Sequence, residues 1–154
     1  MADILIVEDK DAKFDDLRRV VVETVPSASI VRATTVVEAE SLLSQTAWSM
    51  IVLDISMDIN GTSKGALGGG HASLGGLDVV DTMYYEGLQI PTVVVTGLDY
   101  FISSKNMEGA EYIGLEELGA SVRQKLASQY LGCIRYGIDG WSARFKTAIE
   151  VIEW

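Results

Sequence analysis

A chain of 154 residues, 48% hydrophobic and 22% charged, is long enough for one folded domain with one good core. Its net charge of −10 at pH 7 argues against a nucleic-acid backbone as partner, since phosphates repel such a surface and no Lys/Arg cluster offsets it. The single cysteine, Cys133, excludes an internal disulfide framework, and no apolar run approaches the ~20 residues that span a bilayer.

Acidic residues follow Met1 within a few positions, unlike a secretory leader, so a cytoplasmic setting is expected. Ile4-Leu5-Ile6-Val7 is an apolar, β-branched run that ends in Glu8-Asp9. It reads as a strand buried on both faces. Asp11 is a candidate cap for a helix running to about Thr24, with Phe14, Leu17, Val21 and Val25 at helical spacing and Pro26 as the stop. Ser29–Ala33 is a second, shorter strand. Thr35 then stands three residues before Glu38, a capping-box spacing, ahead of a helix whose Val37, Leu42 and Leu43 are expected to face the core.

Met50-Ile51-Val52-Leu53 is the third and most central strand, and it runs straight into Asp54. A carboxylate at the end of a buried strand needs a reason, because an unpaired buried charge is costly. From about 58 to 75 the chain turns glycine-rich and reads as an inserted loop containing His71, which lacks enough neighbouring ligands to make a metal site. Leu77 to Glu86 is a short helix stopped by Gly87. Pro91 opens the fourth strand, Thr92-Val93-Val94-Val95, which ends at Thr96-Gly97.

Residues 98–111 are ambiguous, with Tyr100, Phe101 and Ile102 suggesting a half-buried segment. A helix is expected from about Tyr112 to Tyr130, weakened by Gly114 and Gly119. Leu131–Tyr136 is the fifth strand, with Cys133 in it as inert core. Asp139 is the expected cap of a last helix carrying Trp141, Phe145, Ala148, Ile149 and Ile152 on one stripe.

Five strands alternating with five helices imply a parallel sheet covered on both faces. The expected fold is an α/β, flavodoxin-like (βα)5 three-layer sandwich with strand order 2-1-3-4-5. In that order Glu8, Asp9, Asp54 and Thr96 meet at one sheet edge, and Arg135 joins them from the fifth strand. Three clustered carboxylates call for a cation, and oxygen donors at that density suit Mg²⁺. Beside such an ion Asp54 can act as a nucleophile toward phosphorus, with Thr96 donating its hydroxyl and Arg135 its charge to the phosphoryl group.

These stretches resemble the receiver domains of two-component response regulators. The matching segments are Ile4–Asp9, Ile51–Met57, Gly76-Leu77 and Pro91–Gly97. The resemblance implies one receiver domain over 1–154, with an insertion at about 58–75 and an enlarged region at about 98–128. It implies Asp54 as phosphoacceptor, Mg²⁺ on Glu8, Asp9, Asp54 and the backbone carbonyl of Ser56, and Thr96 as the switch hydroxyl. It also implies a histidine kinase or phosphotransfer protein as donor and a downstream protein as target, within a phosphorelay, with a homodimer left open. Catalysis would go no further than self-phosphorylation and autodephosphorylation.

Three features depart from the family pattern. Arg135-Tyr136 stands where Lys-Pro is expected. With Arg135 in the lysine's place the aromatic switch position of the last strand falls on Gly132, so that Tyr130 or Tyr136 would have to substitute, and Asp58 replaces the usual proline. They motivate an alternative, a non-cycling pseudo-receiver that works as a protein-interaction module. A phosphatase of the haloacid-dehalogenase type would want a second aspartate where Ser56 stands. A flavodoxin would place its phosphate loop where Glu8 and Asp9 stand.

Overall fold

The computed structural model describes residues 2–57, 74–97, 100–102 and 112–154. Residues 58–73, and with them Asp58, His71 and nearly all of the expected insertion, lie outside these, as do 98–99 and 103–111.

In chain order the elements are β1 (Asp3–Val7), α1 (Asp11–Thr24), β2 (Ser29–Ala33), α2 (Val36–Leu43), β3 (Met50–Leu53), α3 (Gly75–Glu86), β4 (Thr92–Thr96), β5 (Tyr100–Ile102), β6 (Tyr112–Gly114), α4 (Leu115–Leu126), a 3-10 turn at Ala127–Gln129, β7 (Tyr130–Arg135) and α5 (Trp141–Glu150). The main sheet is β2-β1-β3-β4-β7, with every pair parallel. This is the expected 2-1-3-4-5 order, with β7 as the fifth strand.

The unbroken apolar runs follow from the two-sided cover. Leu5, Val7, Ile51, Leu53 and Val94 pack toward α2, α3 and α4. Ile4, Ile6, Met50, Val52, Val93 and Val95 pack toward α1 and α5. Successive residues serve opposite cores because side chains alternate along a strand. Leu17 and Val21 of α1 and Phe145 and Ile149 of α5 close the second core, each at most 1% exposed.

Local signals behaved as their chemistry dictates, with three exceptions of element placement and one of facing: Val37 of α2, expected in the core, is 57% exposed, and its neighbour Val36 takes the buried place. The Thr35 hydroxyl accepts from the Glu38 amide at 3.1 Å, capping α2. Gly87 ends α3 in the left-handed region at φ 67°, and the Leu88 amide closes back on the Met83 carbonyl at 2.9 Å.

The first exception is the helix expected from 112, which begins at Leu115. Tyr112–Gly114 instead pairs antiparallel with Tyr100–Ile102 as a small ribbon. Two aromatic and β-branched residues ahead of a glycine favour strand over helix. Second, Asp139 is not the cap of α5. Gly140, at φ 82°, holds that position, and the Asp139 carbonyl accepts from Arg144 Nη2 at 3.0 Å. Third, Asp11 is the first residue of α1 and not its cap, which is Lys10. No helix among the described residues is long and apolar enough to cross a membrane.

Candidate functional site at the carboxyl edge of the sheet

Parallel pairing brings the strand ends into line. Val7 and Leu53 are register partners, so Glu8 and Asp54 each stand one step beyond. Thr96 ends β4 in register with Arg135 at the end of β7. The Asp54 amide donates to the Val7 carbonyl at 3.1 Å, and the Glu8 amide to the Ala33 carbonyl at 2.9 Å, so backbone bonds fix both acids. Glu8 is fully buried, Asp54 is 4% exposed and Asp9 is half-buried. Carboxylate oxygens of Glu8, Asp9 and Asp54 lie within 4.8 Å of one another.

Asp54 is held on both sides. Its Oδ1 accepts from the Ser56 amide at 3.0 Å and from the Ser56 hydroxyl at 2.9 Å. Its Oδ2 lies 3.1 Å from the Lys13 ammonium. Lys13 also lies 2.7 Å from Glu8 Oε2 and donates to the Val95 carbonyl at 2.7 Å. At 5% exposure it is a buried cation between two buried acids. Lys13 did not figure among the expected site residues, although it sits four positions before Leu17 on the apolar stripe of α1. A charge on a buried helical face is the signal that could have found it.

Burial pushes the Glu8 carboxyl up to about 7, the Asp54 charge adds to the rise, and Lys13 opposes both. Glu8 Oε1 accepts from the Lys10 amide at 3.1 Å, and Lys13 at 2.7 Å is the one partner of Glu8 Oε2 among the described residues. The Thr96 hydroxyl is fully buried and has no hydrogen-bond partner among the described residues. An orphaned donor of this kind costs stability unless something else satisfies it. Arg135 is half-buried at the β7 end.

Two further residues shape the edge. Arg32 of β2 donates from Nε to the Glu8 carbonyl at 3.0 Å and from Nη1 to Asp11 at 2.8 Å, clamping the turn between β1 and α1. Tyr136 donates its amide to the Thr96 carbonyl at 2.8 Å and its phenol to Asp16 at 2.6 Å, which ties the end of β7 to α1.

The glycines opening α3 explain the Gly76-Leu77 match. A Cβ on Gly76 would fall 2.4 Å from the Asp54 carbonyl oxygen, and one on Gly75 would fall 2.1 Å from that of Met57. Only glycine lets α3 start against the loop that carries Asp54. The Gly76 amide then donates to the Ile55 carbonyl at 3.0 Å.

The donor set fits a hard divalent ion, because it is all oxygen and its three carboxylates lie within 4.8 Å of one another, two of them buried with one ammonium between them. A carboxylate oriented by two donors, a buried cation and an unpartnered hydroxyl together suit the binding of a tetrahedral anion at Asp54.

This is a doubly wound α/β protein with an acidic pocket at the carboxyl edge of its sheet, where such folds bind their ligands. More particularly, it has the receiver-domain (CheY-like) fold of response regulators. It is similar to the non-phosphorylated HemR receiver domain from Leptospira biflexa, at TM-score 0.63 and 18% identity over 99% of this chain and 94% of that one. It is similar also to a CheY-like receiver domain protein from Methanospirillum hungatei, at 0.63 and 14% over 98% and 92%. A third is the signal receiver domain of a DNA-binding response regulator from Colwellia psychrerythraea, at 0.62 and 16% over 99% and 100%. No protein-family model matches the chain, and no curated protein does.

Proposed function

We propose that the protein is a receiver, read as one unit over 1–154, that accepts a phosphoryl group on Asp54 and signals through protein contacts. The observation that carries this reading is the convergence of Glu8 and Asp9 with Asp54, carboxylate oxygens within 4.8 Å of one another, where Asp54 Oδ1 takes two donors from Ser56. The donor would be the phosphohistidine of a cytoplasmic histidine kinase or phosphotransfer protein. An Asp54 oxygen attacks phosphorus, the P–O bond forms and the P–N bond breaks. The electron pair leaves on the imidazole nitrogen, which takes a proton from water.

Glu8, Asp9, Asp54 and the Ser56 carbonyl would hold Mg²⁺, which when bound neutralises charge on the phosphoryl oxygens. Ser56 orients Asp54. Thr96 donates its otherwise unpartnered hydroxyl to a phosphoryl oxygen, and Arg135 stands in register with it as a cation at the same edge. Nothing in this chemistry needs a nucleic acid or a membrane.

Phosphoramidate with Mg²⁺ should add the mass of one phosphoryl group, and Asp54→Asn should abolish the adduct. An adduct that survives Asp54→Asn overturns the reading. One observation favours a second reading, the non-cycling interaction module: Lys13 already spans Glu8 and Asp54, so the pocket carries its own counter-ion. Absence of any adduct, with partner binding unchanged in Asp54→Ala, decides for it.

A further inference from the structure

We propose that Lys13 is the pocket's phosphoryl-binding cation, delivered from α1, and that until a phosphoryl group arrives it competes with divalent ions for Glu8 and Asp54. The second half stands on geometry alone; the first rests on Asp54 being the phosphoacceptor.

An ammonium has three donors, and here three acceptors surround it: the Val95 carbonyl at 2.7 Å, Glu8 Oε2 at 2.7 Å and Asp54 Oδ2 at 3.1 Å. Two of those groups also belong to the oxygen cluster suited to a metal. A resident positive charge inside a cation site repels the incoming ion, so the ion and Lys13 contend for the same oxygens. A phosphoryl group on Asp54 adds anionic oxygens within reach of Nζ, and the flexible lysine stem lets the ammonium follow them. The end of β7 explains why the cation comes from a helix. Ile134 and Tyr136 pack on the α1/α5 side of the sheet, and Lys13 Nζ lies 5.6 Å from the Tyr136 ring centroid. The place just past the end of β7 on that side is therefore filled by the Tyr136 ring, over which Lys13 reaches the acids.

Mn²⁺ binding by electron paramagnetic resonance and phosphoramidate labelling, on the full chain, separate the two halves. Lys13→Gln should bind Mn²⁺ roughly tenfold tighter or more, as expected when a buried like charge leaves a cation site. The same variant should take the phosphoryl group roughly a hundredfold more slowly, a larger loss than Arg135→Gln produces. Lys146→Gln, a surface control, should change neither. A structural role alone would not tighten metal binding.

Unchanged Mn²⁺ affinity in Lys13→Gln overturns the competition. Labelling at the wild-type rate, or a larger loss in Arg135→Gln, overturns the phosphoryl role. If Lys13→Gln does not fold, Lys13→Arg decides, because a planar guanidinium cannot reproduce the three-way contact. Labelling of that variant as fast as wild type rejects the proposal. If wild type takes no phosphoryl group, the receiver reading and the phosphoryl role fail together, while the Mn²⁺ comparison still decides the competition.

Discussion

Replacing Glu8 by Gln should remove most of a pH dependence that the wild-type fold carries. The carboxyl is raised from 4.5 to about 7, chiefly by burial and then by Asp54, against the pull of Lys13. The folded state therefore holds this proton more tightly than the unfolded chain does. For a raised carboxyl, the stabilisation is fully present below about pH 4.5 and is lost as pH rises through about 7. At ~1.4 kcal/mol for each tenfold change in proton affinity, the full loss is about 3 kcal/mol. A glutamine of the same shape cannot ionise. Urea denaturation between pH 5 and 8, without divalent ions, should show wild type weakening relative to Glu8→Gln, with the gap reaching about 2–3 kcal/mol at pH 8. Mg²⁺ should restore wild type more than the variant, because it favours the ionised carboxylate. Two stability profiles that run parallel from pH 5 to 8 would refute the reasoning.

Gly76→Ala would drive a Cβ to 2.4 Å from the Asp54 carbonyl oxygen and 2.5 Å from Ile55 Cα, both backbone atoms that cannot swing away. Overpacking of this kind should cost at least ~2 kcal/mol, read as a melting temperature lower by about 5 °C or more. Phe145→Ala empties a site with no exposure, and the loss in urea titration should be about 3–5 kcal/mol. Tyr136→Phe removes the 2.6 Å bond to Asp16 and should cost about 1 kcal/mol in the same assay. Burial pushes the Cys133 thiol up to about 11. Its thiolate fraction at pH 8 is then roughly a thousandth, so alkylation should be slow in buffer and fast in urea.

The sheet was legible because its signal is redundant. Three apolar runs, in β1, β3 and β4, each followed by a polar residue at the sheet edge, fix which segments are central. Alternation with helical stripes makes the sheet parallel, and the β2-β1-β3-β4-β7 order is the common doubly wound one for five such units. The errors fall where local signals compete. Tyr112-Ile113-Gly114 has the residues of a strand, but the helical stripe of Leu118, Val122 and Leu126 begins just after it. Helical periodicity extends such a stripe backward until a breaking residue stops it. The partner strand at Tyr100–Ile102 is a pairing across sequence, which no local pattern displays. At Asp139-Gly140 the side-chain rule for caps lost to backbone conformation, since the position takes a left-handed φ that glycine adopts without strain.

The acids of the pocket were legible for the same reason as the strands: each follows an apolar run, so topology alone gathers them at one edge. The cation was not, because it obeys a different geometry. A strand-end residue is placed by register, whereas Lys13 is placed by the packing of α1 against the sheet and by the length of its own side chain. Among the strand ends at that edge, the residue that offers positive charge is Arg135. Strand alternation puts Arg135 on the side of the sheet that Cys133 packs against, toward α2, α3 and α4, while Lys13 approaches from the α1 side. Crowded carboxylates demanded a positive charge, and that demand was sound. What it could not specify was whether the charge would be a free ion or a tethered one. Glu8 carries the mark of a partial answer: with Lys13 at 2.7 Å, its carboxyl is still pushed up to about 7. One ammonium shared between two buried acids leaves the pocket short of positive charge, and that shortfall is what a divalent ion would relieve.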